Sequence, residues 1–302
     1  MDKTKSIKVK IINAFAANDL GGNPAGVVLD ADHLSNVNKL EIAKKVGLSE
    51  TAFVSKSKTA DFKLDFFTPK KQIAHCGHAT VATFSYLKQI GKLTKNESSK
   101  ETIDGNRLIK LSGELAFMEQ SAPKYTTVKN HEKQILKSLG ITNKQLIKNA
   151  PIRLVNTGNS FIIIPVKSSK ILASIQPNHK LINKISEDLD LIGFYIFTNQ
   201  IENESLDATT RMFAPRYGIL EESATGMAAG PLACYLYDIL NKKKNKFKIQ
   251  QGKYMKKPSN SLIIVDLHLK NSKIKSLMAG GKGILKGQKT LEITLFNPVD
   301  NL

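Results

Sequence analysis

A faint internal repeat limits the folds that this chain can adopt. The segment GGNPAGVVLD at 21–30 resembles NTGNSFIIIP at 156–165, and each places an asparagine ahead of an apolar run. The segment SETAFV at 49–54 resembles IGFYIF at 192–197 in the same order. The separation of the matches grows gradually along the chain, as insertions in loops would produce. The repeat therefore predicts two similar halves, joined near residues 122–127.

The order of the expected elements indicates the fold class. An FTP sequence at 67–69 stands opposite FAP at 213–215, and a helical pattern follows in both halves. Short strand patterns come in runs and do not alternate strictly with helical ones, which favours an α+β fold over a doubly wound parallel sheet. We place an N-terminal lobe at 1–125 and a C-terminal lobe at 126–302, and leave open that the last strand packs on the first lobe.

Composition narrows the class of protein. A chain of 302 residues with 41% hydrophobic content can bury two domain cores. The net charge of +19 comes from scattered lysines with only four arginines, and the densest lysine runs lack interleaved aromatic residues. Nucleic-acid binding is therefore not expected, whereas a positive field would attract small anionic substrates.

The sequence also carries expectations about location and redox state. No apolar run approaches the roughly 20 residues that cross a bilayer, and no signal-peptide core follows Met1. We expect a cytoplasmic protein with no membrane partner. Its two cysteines, Cys76 and Cys234, should be reduced thiols.

The starts of the two corresponding helices are candidate ligand-binding positions. Gly77 is followed by Ala79 and Thr80, and Gly226 by Ala228 and Ala229. Small residues let a ligand approach the N–H groups of a first helical turn, where the helix dipole favours an anion. Close helix packing would explain the same residues, and only the repeat favours a ligand. We predict that the two helix starts hold a small carboxylate-bearing molecule.

Glu50 is the candidate for proton transfer. It begins an apolar strand, and a carboxylate at the edge of a core has a raised pKa and can accept a proton near neutral pH. A surface glutamate at a turn is the commoner reason for this spacing. Glu221 and Glu222 precede the second helix start, and they are either functional acids or ordinary partners of the helix dipole. His78 either contacts the substrate or caps its helix.

Cys76 is a candidate base or nucleophile because it stands at a helix start. Its counterpart in the repeat is Ala224, however, and Cys234 lies about two and a half helical turns further along. A racemase that uses two cysteines is therefore disfavoured, and we expect no primary chemical role for Cys76.

We expect neither a metal nor a cofactor. A zinc site at His75, Cys76 and His78 has no further Cys or His cluster to complete it. No G-x-G-x-x-G sequence follows a strand. The AGGKG sequence at 279–283 lacks the spacing of a phosphate-binding loop, and a hairpin turn is expected there.

Five segments resemble the signature segments of the phenazine-biosynthesis-like, or PhzF-like, isomerases. They are NAFAANDLGGNPAGVVLD, LSETAFV, IAHCGHATVA, RMFAPRYGILEESATGMAAGPLA and QGKYMKKPSNSLIIV. The resemblance implies a diaminopimelate-epimerase-like fold: two pseudo-symmetric lobes, each a mixed β-sheet wrapped around a central helix, with the active site between them. It also implies a biosynthetic homodimer without cofactor or metal. The best-understood activity of the family isomerises a dihydro-hydroxyanthranilate by moving a proton between ring carbons.

The resemblance also implies roles for individual residues. Glu50 corresponds to the catalytic glutamate, and the implied substrate-binding residues are Ser49, Gly77, His78, Glu222, Gly226 and Met227. Aspartate is more usual than glutamate at Glu222, and serine is more usual at Met227, so the phenazine substrate does not follow. Cys76 and Asn23 are secondary candidates.

The sequence thus predicts a cofactor-independent isomerase that acts on a small carboxylate-bearing metabolite through Glu50. Two alternatives remain open. One is a racemase or epimerase of an amino-acid derivative that uses Cys76 with a non-cysteine partner. The other is a non-catalytic protein of the same fold that binds a metabolite or another protein.

Overall fold

The computed structural model describes residues 4–201 and 203–295. Its helices are α1 (Asn36–Val46), α2 (Gly77–Gln89), α3 (Glu132–Leu139), α4 (Ser169–Ser174), α5 (His179–Asp188) and α6 (Gly226–Asp238). Its strands are β1 (Thr4–Ala14), β2 (Asn23–Val28), β3 (Thr51–Ser55), β4 (Phe62–Phe67), β5 (Gln72–Ile73), β6 (Glu97–Thr102), β7 (Gly105–Ser112), β8 (Leu115–Ser121), β9 (Lys124–Thr127), β10 (Arg153–Asn156), β11 (Ser160–Pro165), β12 (Gly193–Thr198), β13 (Ala208–Ala214), β14 (Ile219–Glu222), β15 (Lys246–Gln251), β16 (Ser261–Lys270) and β17 (Lys273–Thr294). Many strands and few helices confirm the α+β class.

The described chain divides into two compact units. The first contains the chain up to Asp19, Asn23–Met118 and the chain from Gly281 onward, and the second contains Leu20–Gly22 and Glu119–Gly280. The changeover between 118 and 119 falls within β8 and lies earlier than the boundary expected between 125 and 126. The reason is that the end of β8 bonds within the second unit, where the Ser121 N–H donates to the Thr157 carbonyl at 3.0 Å.

The first unit is a mixed sheet packed against helices. β1 pairs antiparallel with β2, β2 parallel with β3, and β3 antiparallel with β4. β4 then pairs antiparallel with β5 and parallel with β6. Ser35 caps α1 with its hydroxyl, and Ile42 of that helix packs with Phe53 and Phe67 in a core that also takes in Ile293 near the end of β17.

The second unit repeats this order of pairings strand for strand. β10 pairs antiparallel with β11, β11 parallel with β12, and β12 antiparallel with β13. β13 then pairs antiparallel with β14 and parallel with β15. Apolar faces of α3 and α5 cover its core, which contains Ile135, Ile185 and Phe194. The predicted repeat is therefore confirmed in the order of the elements, whereas the wrapping of each sheet around a central helix stays a prediction.

Corresponding helices occupy the same place in the two units. α2 and α6 are each 13 residues long, and each begins at a glycine, Gly77 or Gly226. Both follow the short strand that closes the preceding hairpin, and both bury nearly every side chain. A helix that is apolar on all sides must be buried. No helix of the described residues is long and apolar enough to cross a membrane.

The expectation of a hairpin turn at 279–283 is wrong. These residues lie inside β17, where Gly280 pairs with Ile264 and Gly283 pairs with Ala14. A Cβ atom at Gly283 would lie 2.7 Å from the Cβ of Ser85 in α2. Glycine in a strand can permit a close approach as well as mark a turn, and here it permits the packing of β17 on α2.

Candidate active site

Glu50 and His78 lie in contact at the start of α2. Glu50 comes immediately before β3, and its carbonyl accepts a hydrogen bond of 3.0 Å from the Gly26 N–H, because β2 and β3 pair in parallel. His78 is the second residue of α2. The carboxylate Oε2 of Glu50 lies 3.3 Å from Nε2 of His78, and the two residues are 7% and 5% exposed. The structure thus brings together two of the predicted site residues, both out of bulk water.

Cys76 belongs to the same cluster. It is the N-cap residue of α2, its side chain makes no capping hydrogen bond, and its Sγ lies 3.6 Å from Nδ1 of His78. Comparison of the two halves aligned Cys76 with Ala224. It did not predict the contact between Cys76 and the imidazole of His78, two residues further along. The thiol and the Glu50 carboxylate therefore lie at opposite edges of one imidazole ring.

This arrangement favours proton transfer through the ring. Donor atoms of Glu50, Cys76 and His78 lie within 4.8 Å of one another, which is close enough for three ligands of one ion. The thiol, however, contacts Nδ1 and the carboxylate contacts Nε2, whereas a shared ion would draw both toward one nitrogen. An imidazole can accept a proton at one nitrogen while it releases one from the other.

A buried lysine lies beside the cluster. Lys100 of β6 is 0% exposed, and its Nζ donates to Thr80 Oγ1 at 2.6 Å and lies 3.3 Å from His75 Nδ1. The Thr80 hydroxyl in turn donates to the Cys76 carbonyl at 2.6 Å. The ammonium also sits 5.1 Å from the centre of the Phe66 ring, within cation–π range. One chain of contacts thus joins Lys100 to the first turn of α2.

Burial dominates the electrostatics of this lysine and its neighbour. It lowers the pKa of Lys100 to about 7, and Arg107 acts in the same direction, while Cys76 and Asp104 oppose the shift. Burial also lowers the pKa of His75 to about 3, with Lys100 and Arg107 adding to the effect. His75 is therefore a neutral acceptor near pH 7. The sequence prediction missed Lys100, because β6 is polar at every position and its sequence does not distinguish the buried face from the exposed one.

The start of α6 is held by a network of its own. Glu222 Oε2 accepts a hydrogen bond of 2.5 Å from Thr225 Oγ1, and Gln251 Nε2 donates to the Glu222 carbonyl at 2.7 Å. Gln251 Oε1 accepts from the Thr225 N–H at 3.2 Å and from the Tyr195 hydroxyl at 2.9 Å. These bonds fix the backbone at the N-cap of the helix. Gln251 was not predicted as part of this site.

Two further contacts complete the first turn of α6. The Gly226 carbonyl accepts a hydrogen bond of 3.0 Å from Gln120 Nε2, and the Met227 sulfur lies 3.4 Å from Asn159 Nδ2. Glu221 is committed elsewhere, in a two-bond ion pair with buried Arg211 that has N–O distances of 2.8 and 2.9 Å. Of the two glutamates considered before α6, Glu222 thus lies at the helix start and Glu221 serves the packing of the second unit.

The remaining predicted residues of the first unit have the following places in the fold. Ser49 is exposed, Gly77 is buried as the first residue of α2, and Asn23 is buried as the first residue of β2, opposite Ala14. Direct contacts therefore unite Glu50, Cys76 and His78 in the first unit. The substrate-binding roles of Ser49 and Asn23, and those of Glu222, Gly226 and Met227 in the second unit, stay predictions.

The sequence matches one family over most of its length. The model of the PhzC-PhzF family, described as phenazine biosynthesis-like protein, matches residues 12–286. An uncharacterised isomerase of Clostridium acetobutylicum is 35% identical over 234 residues, which cover 74% of this chain and 77% of that protein. A trans-2,3-dihydro-3-hydroxyanthranilate isomerase of Pseudomonas chlororaphis is 32% identical over 234 residues, which cover 75% of this chain and 78% of that protein.

A solved structure agrees with the sequence match. The crystal structure of a phenazine biosynthesis protein of the PhzF family from Bacillus anthracis superposes with a TM-score of 0.85 at 27% identity. The match covers 96% of this chain and 100% of that chain.

Proposed function

The chain belongs to the phenazine biosynthesis-like family of isomerases, and we propose that it moves a proton within a small carboxylate-bearing metabolite with Glu50 as general acid and base. The substrate class is proposed, and dihydro-hydroxyanthranilate is not, since Glu222 and Met227 stand where aspartate and serine are more usual.

The observation that supports this proposal is the buried contact between Glu50 and His78. An isomerisation of this kind needs a group that takes a proton from one atom and returns it to another, and a positioned carboxylate can do both. The imidazole nitrogen, 3.3 Å from the carboxylate oxygen, packs against the carboxylate and limits its movement.

The start of α2 supports the choice of an anionic substrate. The N–H groups of the first turn have no carbonyl partners within the helix, and the helix dipole places partial positive charge there. Gly77 leaves these groups uncovered by a side chain. In the proposed reaction the anion is held at the helix start while Glu50 acts on a neighbouring C–H bond.

The experiment begins with a thermal-shift screen of small anionic rings and amino acids to find a ligand. Solvent deuterium incorporation into that ligand is then measured for the wild type, for Glu50→Gln, and for Glu97→Gln as a matched exposed control in the same unit. Because general acid/base assistance typically contributes on the order of 10²- to 10⁴-fold, Glu50→Gln should lose that much exchange while the control keeps it. Exchange that survives intact in Glu50→Gln would refute the role of Glu50.

A racemase or epimerase reaction through Cys76 is the second candidate, because the thiol lies 3.6 Å from His78. Inversion of a chiral amino-acid derivative that is abolished by Cys76→Ala and retained in Glu50→Gln would favour it. A non-catalytic binding protein is the third, and it would show a thermal shift with no deuterium exchange in the wild type.

A further inference from the structure

Gln251, the last residue of β15, uses its whole side-chain amide at the start of α6. The residue is 0% exposed. Its Nε2 donates to the Glu222 carbonyl at 2.7 Å and to Thr225 Oγ1 at 3.1 Å. Its Oε1 accepts from the Thr225 N–H at 3.2 Å and from the Tyr195 hydroxyl at 2.9 Å. Both amide hydrogens and both oxygen lone pairs are thus used, which is the full capacity of a glutamine side chain.

The orientation of this amide follows from its two backbone partners. A backbone carbonyl only accepts hydrogen bonds, and a backbone N–H only donates them. If the amide were turned over, its oxygen would face the Glu222 carbonyl and its NH₂ group would face the Thr225 N–H, so both bonds would be lost. The NH₂ group therefore lies on the side of Thr225 Oγ1, and this hydroxyl oxygen accepts one of its hydrogens.

The Thr225 hydroxyl carries its own hydrogen to a different acceptor. Glu222 Oε2 lies 2.5 Å from Thr225 Oγ1. A hydroxyl has a single hydrogen, and because Gln251 donates to its oxygen, this hydrogen is directed to the carboxylate. A hydrogen bond that a carboxylate accepts stabilises its ionised form. Gln251 thus acts on the Glu222 side chain through Thr225, and it also joins the backbone groups at both ends of the segment 222–225.

The neighbours that titrate or carry charge are held in contacts of their own. Burial raises the pKa of the Tyr195 hydroxyl, which is therefore a neutral donor to Gln251. Glu221, the other carboxylate of β14, forms its ion pair with Arg211 of β13. Glu221 is thus held by a cation, whereas Glu222 is held by a hydroxyl that Gln251 orients.

We propose that Gln251 is a positioning residue, which acts through Thr225 to hold Glu222 as an ionised hydrogen-bond acceptor at the start of α6. In the reaction proposed above, Glu222 then accepts a hydrogen bond from the substrate and is not a second proton carrier beside Glu50. This second statement rests on the proposed function, whereas the effect of Gln251 on Glu222 does not.

The effect on Glu222 can be measured without a substrate. Glutamate labelled with carbon-13 at its carboxyl carbon reports each carboxyl group by NMR as the pH is varied, and Glu222→Gln identifies the signal of Glu222. Thr225→Val removes the hydroxyl and should raise the titration midpoint of Glu222 by about 1 to 2 pH units, as the loss of one hydrogen bond to a charged group implies. Thr225→Ser keeps the hydroxyl and should keep the midpoint.

Gln251→Met keeps the length of the side chain without its amide, and it should raise the Glu222 midpoint by about 1 pH unit. The double variant Gln251→Met/Thr225→Val should titrate like Thr225→Val alone, because Gln251 acts through that hydroxyl. A purely structural role of Gln251 would lower the stability of the fold and leave the midpoint of Glu222 where it is.

Gln250→Met is the matched control. Gln250 precedes Gln251 in β15, is partly buried, and accepts a hydrogen bond of 3.2 Å from Thr209 Oγ1, so its loss should leave the Glu222 midpoint unchanged. If Gln251→Met does not fold, Gln251→Asn shortens the side chain and should shift the midpoint in the same direction. An unchanged midpoint in a folded Gln251 variant, or shifts that simply add in the double variant, would overturn the proposal. An unchanged midpoint in Thr225→Val would overturn it whether or not a Gln251 variant folds.

The statement about the reaction is tested by kinetics on the compound that gives the largest thermal shift in the screen. Glu222→Gln should raise KM by about 10-fold or more and leave kcat within about 3-fold, because an acceptor binds the substrate without carrying its proton. A fall in kcat on the scale expected for Glu50→Gln, on the order of 10²-fold or more, would overturn this statement. That result would leave the role of Glu50 intact, whereas a failure of the Glu50 proposal would leave the titration of Glu222 unaffected.

Discussion

Gly230 in α6 is the position where one added methyl group should disturb the start of that helix. A Cβ atom at this residue would lie 2.3 Å from Gln120 Oε1 and 2.7 Å from Leu277 Cδ1. Gln120 cannot move without loss, because its amide donates to the Gly226 carbonyl at 3.0 Å and its oxygen accepts from Thr157 Oγ1 at 2.7 Å. Gly230→Ala should therefore expel Gln120 from both hydrogen bonds.

Opposing effects decide the size of the change in the free energy of unfolding. Alanine stabilises a helix interior over glycine by about 1 kcal/mol. Overpacking of a close-packed site costs about 1–3 kcal/mol. The loss of two buried hydrogen bonds costs roughly 1–3 kcal/mol more, at 0.5–1.5 kcal/mol each. We therefore expect Gly230→Ala to destabilise the protein by about 1–5 kcal/mol, against the sign that helix propensity alone predicts.

Urea unfolding followed by far-UV circular dichroism measures this change, since the chain contains no tryptophan to serve as a fluorescent probe. Gln120→Ala and the double variant Gln120→Ala/Gly230→Ala complete a double-mutant cycle. Removal of the glutamine side chain makes room for the new methyl group, so the double variant should be more stable than the sum of the two single effects by about 1–3 kcal/mol. A Gly230→Ala protein as stable as the parent, or strictly additive effects, would refute the packing argument.

Two further predictions concern the first unit. Lys39 and Asp65 form a buried ion pair at 2.5 Å. Asp65→Leu should destabilise the protein by about 3–5 kcal/mol, because it leaves the buried Lys39 ammonium without its counterion. In urea unfolding, the double variant Lys39→Met/Asp65→Leu should recover most of this loss. Folding lowers the pKa of His75 from 6.5 to about 3. Between these two pH values only the unfolded chain binds the proton, so the free energy of unfolding falls as the pH falls. His75→Asn should remove this contribution, at most ~1.4 kcal/mol per pH unit, from the slope of unfolding free energy against pH; an unchanged slope would contradict it.

The repeat could be predicted from the sequence because it is expressed in local patterns. Each matched segment is a short apolar strand followed by a turn, and such patterns survive in the residues themselves. The parallel pairing of β2 with β3 and of β11 with β12 follows the order of those segments. The α+β class and the two helix starts were therefore accessible before the fold was known.

The chemistry around α2 was only partly accessible, because spatial neighbours decide it. Glu50 and His78 were predicted by resemblance, but their contact with Cys76 depends on the path of the chain between β3 and α2. Lys100 was missed since a lysine between polar residues is typical of an exposed strand. Its burial follows from the partners of β6, which pairs with β4 on one side and β7 on the other.

The glutamines that order α6 illustrate the same limit. Gln120 and Gln251 are each buried and each bond to backbone groups at the start of the helix. A glutamine in a strand has no signature that separates such a role from a solvated one. The glycines of β17 were misinterpreted as a turn because the sequence does not reveal that Ser85 lies against Gly283.

The path of β17 has a consequence for the order in which the protein can fold during synthesis. β1 at the amino end has its second partner in the last part of β17, where Lys8 pairs with Thr290. A ribosome must therefore complete the whole second unit before β1 acquires that neighbour, and until then one edge of β1 offers unpaired backbone groups to other chains. The three lysines and one serine between Thr4 and Ile11 would keep this unpaired strand soluble. The positive charge of this segment can thus protect the nascent chain from aggregation.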